Sequence, residues 1–230
     1  MADGPRFDVV LIDAGPTTWD LAGRLAGRID LPLAPEGISA VSQACQAFNK
    51  TLGQVRPALL LCGPDEASQA AGKIAGTLLR SKPKALPGLA AMDLGLWQGM
   101  TKEQLLDRCP KVCKTMQCDP ASIVPPNGEP WNEAKSRIVS TFLGALPKNP
   151  GTVVVVARPG TLVVLRAGID ELSNRPPERD HTVPPVWGEP YRLTLELSGA
   201  TAGAGGWLSM FGVMGAVGVM GTIAGGWTHR

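Results

Sequence analysis

Short, continuously apolar runs closed by turn residues alternate along this chain with stretches whose apolar positions repeat at helical spacing. Val9-Val10-Leu11-Ile12 is followed by Asp13-Ala14-Gly15-Pro16, residues 58–62 by Gly63-Pro64, and the four consecutive valines Val153 to Val156 by Arg158-Pro159-Gly160. Uninterrupted β-branched and leucine runs of this length suit strands buried on both faces of a parallel sheet. Between them, Val41, Ala44, Cys45 and Phe48 lie on one face of a helix predicted over 39–52, after a turn at Pro35-Glu36-Gly37. Further helices are predicted over 68–79, 102–109, 131–146 and 162–167, and 192–197 alternates like a last edge strand. Residues 174–190 hold Pro176, Pro177, Pro184, Pro185 and Pro190 and read as a surface excursion without regular structure. The order implies an α/β fold, a three-layer α/β/α sandwich with a mostly parallel sheet, filling a domain over 1–198.

The remaining residues, 199–230, form an apolar, Gly-rich carboxyl-terminal tail. From Trp207 to Trp227 it carries no charged side chain, with Leu208, Met210, Phe211, Val213 and Ile223 among its apolar residues. A helix over 207–227 would span about 30 Å, the thickness of a bilayer's hydrocarbon core. Tryptophan at both ends suits the two interfaces, and Gly212, Gly215, Gly218 and Gly221 suit close helix packing. The tail is therefore a candidate membrane or assembly helix, through which the chain would self-assemble or meet protein partners.

Charge narrows the partners. With 22 basic and 20 acidic residues and a net charge of +2, nothing draws the chain to a polyanion, so no nucleic-acid partner is expected. Five cysteines and a first segment interrupted by Asp3, Arg6 and Asp8 point to a reducing, cytoplasmic location for the domain, anchored to a membrane if the tail inserts. Cys109, Cys113 and Cys118 are closely spaced, but zinc needs four ligands, commonly a C-x2-C knuckle, and no histidine lies nearby. No metal site and no cofactor are expected.

Several strings resemble the histidine phosphatase superfamily, which is phosphoglycerate mutase-like. Gly15-Pro16-Thr17-Thr18-Trp19-Asp20, then Gly23-Arg24, Gly27-Arg28, Asp30-Leu31-Pro32-Leu33 and Glu36-Gly37, resemble that family's first loop and the helix after it. Leu89, Met92-Asp93, Gly95, Trp97 and Gly99-Met100-Thr101 resemble a second segment, and Pro125-Pro126-Asn127-Gly128-Glu129 a third. Residues 153–165 are similar to the strand and helix around the family's second active-site histidine. The resemblance covers roughly residues 9 to 168.

It also implies what this chain lacks. Members transfer phosphate through a histidine in an R-H-G triplet, hold the phosphate with arginines, and protonate the leaving oxygen with a carboxylic acid. Here the triplet reads Asp13-Ala14-Gly15, the acid position is Ala91, and the second histidine position is Arg158. The loop after the second strand, from Gly63 to Ser68, carries Asp65 and Glu66 and no arginine. An aspartate in place of an arginine at about 4 Å from a phosphate turns an attraction of roughly 4 kcal/mol into a repulsion of similar size. The expectation is a pseudoenzyme and not an enzyme: a binding or scaffolding protein, with a phosphoester phosphatase or mutase of rearranged active site as the alternative. The relic positions Asp13, Ala14, Ala91 and Arg158 would be non-catalytic, with Asp13 and Arg158 paired. Gly15, Thr17, Asp20, Arg24 and Arg28 would line a candidate ligand cleft.

Overall fold

The computed structural model describes residues 5–53, 55–111, 124–173 and 189–197. Within them the three apolar runs become adjacent interior strands: β1 (Arg6–Asp13), β2 (Leu59–Cys62) and β4 (Thr152–Ala157). With β3 (Pro83–Ala85) and β5 (Tyr191–Glu196) they make a five-stranded sheet in the order β3-β2-β4-β1-β5. All neighbouring pairs are parallel except β1 with the edge strand β5.

Because side chains alternate across a strand, each interior strand feeds two cores. One face, with Val10, Ile12, Leu60, Cys62, Val154 and Val156, is covered by α2 (Pro35–Leu52) and α3 (Glu66–Leu78). The other, with Val9, Leu11, Leu61, Val153 and Val155, is covered by α5 (Trp131–Ala145) and α6 (Pro159–Leu172), through Ile138, Phe142, Leu162 and Ile169. This is the three-layer sandwich expected from the sequence. Two short helices, α1 (Thr18–Leu21) and α4 (Lys102–Arg108), lie in the connecting segments. Both begin with a capping box, at Thr17 with Asp20 and at Thr101 with Gln104.

Some boundaries differ from the sequence reading. Pro35-Glu36-Gly37 is no turn but the first turn of α2, since proline at the first helical position loses no hydrogen bond. Pro159 starts α6 in the same way, three residues before the predicted start. α1 and β3 were not anticipated, because neither carries an apolar period. Trp97 packs with Leu105, Leu25, Leu94 and Cys109 in a small separate cluster, and Trp131 packs against the main core. Cys113, Cys118, His181 and His229, nearly all of the 174–190 excursion and the whole 199–230 tail lie outside the described residues. Among the described residues no helix is long and apolar enough to cross a membrane.

Candidate functional site

Parallel pairing of β1 with β4, in the register Asp13 opposite Ala157, brings the carboxyl ends of the two central strands side by side. The Ala14 N–H donates to the Ala157 carbonyl at 3.0 Å and extends the ladder by one step. Asp13, Ala14, Gly15 and Arg158 thus meet at one strand-end edge, where open α/β sheets place their ligands. Beyond it the chain must reverse sharply under α2. Gly15 does so at φ +86°, and a Cβ there would lie 2.6 Å from the Gly37 Cα. Only glycine fits.

Two charged groups converge on the Gly15 peptide. Its N–H donates to Asp13 Oδ1 at 2.8 Å, and its carbonyl accepts from Arg158 Nη1 at 3.3 Å. Both side chains are buried, Asp13 to 4% exposure and Arg158 to 7%. The expected Asp13 to Arg158 ion pair is not what forms. Arg158 Nη2 instead takes both oxygens of Asp20, at 2.8 and 2.7 Å. The reason lies in the capping box: Asp20 sits in the first turn of α1, and its Oδ2 accepts from both the N–H and the hydroxyl of Thr17, each at 2.6 Å. The Thr17 to Asp20 spacing was the available signal for this, since it directs the carboxylate back toward the strand end.

A second charged network stands on the segment that carries Ala91. Glu129 accepts from Arg137 Nε and Nη2 at 2.8 and 2.7 Å and from Arg28 Nη2 at 2.9 Å. Arg137 also donates to the carbonyls of Gly88 and Ala90, and Arg28 Nε donates to that of Ala91 at 2.9 Å. Burial alone would raise the Glu129 pKa, but the hydrogen bonds and charge of Arg137, the charge of Arg28 and the Asp93 N–H outweigh it, so the pKa is lowered. Arg28 is thus committed to holding the loop, and Arg24 donates to the Gly99 carbonyl at 2.7 Å. The candidate cleft residues divide accordingly. Gly15, Thr17 and Asp20 gather around Arg158, while Arg24 and Arg28 fasten the neighbouring loops. The pairing of Arg137 with Glu129 escaped sequence reasoning, since no local pattern marks it.

Of the two acids after β2, Asp65 has a structural role. Asp65 caps α3 by accepting from the Ser68 N–H, and the Glu66 N–H donates to Asp30. Cys62 ends β2 nearby, but burial, and then the charge of Asp65, push its thiol up to about 11, so at neutral pH it is no nucleophile. Among the described residues there is no group of three or more histidine, cysteine, aspartate or glutamate side chains that would hold a metal ion.

Residues 9–184 match the family model described as the histidine phosphatase superfamily, branch 1. A metal-independent phosphoserine phosphatase of Arabidopsis thaliana is 24% identical over 170 residues, covering 73% of this chain and 70% of that protein. In structure, a mycobacterial glucosyl-3-phosphoglycerate phosphatase superposes with a TM-score of 0.61 at 22% identity, over 73% of this chain and 81% of the other. The α-ribazole phosphatase of Shigella flexneri gives 0.62 at 20% identity, over 81% and 89%. These matches correct the expectation that the chain is not an enzyme: the matched family and the named relatives are phosphatases, and a pseudoenzyme, a scaffold or a membrane anchor finds no support in them.

Proposed function

This chain belongs to the histidine phosphatase superfamily, branch 1, and we propose that it acts on phosphoesters through a rearranged site built from Asp13, Asp20 and Arg158. The observation that carries the proposal is the Gly15 peptide, which holds a carboxylate on its N–H and a guanidinium on its carbonyl at the strand-end edge. Arg158 supplies the cation for the phosphoryl oxygens. Asp13 supplies the nucleophile in place of histidine, because position 14 is alanine and the Cys62 thiol is neutral.

In this reaction an Asp13 carboxylate oxygen attacks phosphorus and the ester P–O bond breaks, giving an aspartyl phosphate and an alkoxide that takes its proton from water. Water then attacks the phosphorus of the acyl phosphate, releasing inorganic phosphate and restoring the carboxylate. Since position 91 is alanine, no carboxylic acid there protonates the leaving oxygen. The substrates this favours are phosphoesters whose leaving group is stable as an anion, such as aryl phosphates, over alkyl phosphates.

The test is a panel of phosphoesters on the purified full-length chain, including aryl phosphates, phosphoserine, glucosyl-3-phosphoglycerate and α-ribazole 5′-phosphate. Turnover that is fastest on aryl phosphates, is lost in Asp13→Asn and passes through a hydroxylamine-sensitive phosphoenzyme is the expected result. No turnover anywhere on the panel, or turnover unchanged in Asp13→Asn, overturns the proposal.

A further inference from the structure

We infer that Asp20 sets the anion selectivity of this site: its carboxylate occupies the place on the Arg158 guanidinium that a ligand's phosphoryl oxygens would take. The inference rests on the phosphoester reading for the class of ligand, and on geometry for the rest. Arg158 is buried to 7% exposure at the end of β4, and among the described residues its Nη2 is engaged by Asp20, at 2.8 and 2.7 Å. A buried guanidinium needs a countercharge, and here the chain provides its own.

The way the pair is made leaves it replaceable. Both Asp20 oxygens meet the same nitrogen, whereas the strongest guanidinium pairs are forks in which two parallel N–H groups meet two oxygens. A phosphoryl group that engages two nitrogens at once gains that geometry. Asp20 also has somewhere to go. Its Oδ2 already accepts from the Thr17 N–H and hydroxyl, so on releasing Arg158 it keeps two hydrogen bonds within the capping box. Charge opposes the exchange, since an incoming anion must approach Arg158 past the Asp20 carboxylate that already neutralises it. The α6 amino terminus, starting at Pro159 directly after Arg158, adds a favourable dipole for an anion but does not cancel a full charge. Asp20 is therefore a gate: it admits a ligand whose oxygens grip Arg158 better than a carboxylate does, and it excludes simple weak anions.

Asp20→Asn removes the charge and keeps an oxygen able to accept from Thr17, so the capping box survives. Tungstate, a phosphate mimic, titrated calorimetrically at neutral pH into the full chain should bind Asp20→Asn about tenfold or more tightly than the unaltered protein. Adding Arg158→Gln should return the affinity to the unaltered level. Asp20→Ser, which also removes the charge, should gain similarly and serves if the asparagine variant is unstable by thermal unfolding. Equal tungstate affinity in the unaltered chain and in the folded neutral variants, or a gain that persists without Arg158, overturns the inference. Because binding is read without turnover, a gain in Asp20→Asn with no hydrolysis on the phosphoester panel supports the gate while the catalytic proposal fails. Hydrolysis with no gain does the reverse.

Discussion

Gly15 organises more of the site than any charged residue does, because its N–H and its carbonyl bind the two opposite charges and its backbone makes the turn that lets them meet. Two effects combine there. A positive φ of 86° strains any L side chain, and an added Cβ would fall 2.6 Å from the Gly37 Cα and 2.9 Å from the Gly37 carbonyl oxygen. Gly37 in α2 cannot give way easily, since its own Cβ position is closed off by Leu33 and Pro16. Gly15→Ala should therefore cost about 2 to 4 kcal/mol in chemical denaturation. Gly23 provides the control, with φ +66° and nothing within 4 Å of an added Cβ, so Gly23→Ala should cost only about 1 kcal/mol. Equal losses at the two positions would show that the approach to α2 contributes nothing. Asp13→Asn, by contrast, keeps an acceptor for the Gly15 N–H and should leave stability within about 1 kcal/mol, so that a loss of turnover in that variant reports on chemistry and not on folding.

At the scale of elements, the segment carrying Ala91 is held to α5 and to the loop of Arg28 by one carboxylate, Glu129, between Arg137 and Arg28. Glu129→Gln leaves two guanidinium groups without their countercharge and should destabilise the fold by about 2 kcal/mol, discounted from fully buried pairs because Arg28 is partly exposed. The pH dependence has a definite sign. The folded-state pKa of Glu129 is lowered, so its contribution is fully present above the unfolded-state carboxylate pKa and is lost as pH falls through the lowered value. Acid unfolding followed by circular dichroism should show part of the stability lost below the ordinary glutamate range, and Glu129→Gln should lack that part. A variant with the same acid profile as the unaltered chain would remove Glu129 from this role. The sheet was legible in the sequence because strands buried on both faces must be continuously apolar, as in Val153 to Val156. β3, an edge strand with Pro83 and Lys84, shows no such run and was invisible. Starts of helices were misplaced where Pro35 and Pro159 suit a turn and a first helical position equally well. The meeting of Asp13 and Arg158 at one edge was readable from the strand order implied by the resemblance. The choice of Asp20 over Asp13 as the partner of Arg158 was marked only by the Thr17 to Asp20 capping-box spacing, and the pairing of Arg28 with Glu129 by nothing local, because tertiary packing brings them together from 101 residues apart.

Over the whole molecule, the length of the sheet separates the site from Leu197, the last described residue. β5 runs antiparallel to β1, pairing Arg6 with Glu196 and Leu11 with Tyr191, and the Leu197 N–H donates to the Pro5 carbonyl. Leu197 therefore lies at the amino end of β1, whereas Asp13 closes its carboxyl end. The seven steps of β1 from Arg6 to Asp13, at about 3.3 Å each, set its two ends roughly 23 Å apart. Among the described residues, Leu193, Leu195 and Leu197 close this edge of the core against Phe7 and α6. A chain ending at 198 should consequently keep the unfolding temperature within about 3 °C, and should match the full chain in tungstate affinity and in any phosphoester turnover. Its association should change. If 207–227 is the assembly or membrane helix its composition suggests, the full chain sediments as oligomers or partitions with lipid vesicles, while the shortened chain sediments as a monomer and stays in solution. Analytical ultracentrifugation and vesicle flotation of the two chains decide this. A full chain that is monomeric and does not float would remove the tail's proposed role without touching the site, and a shortened chain that binds tungstate differently would show that the two ends of the sheet are coupled.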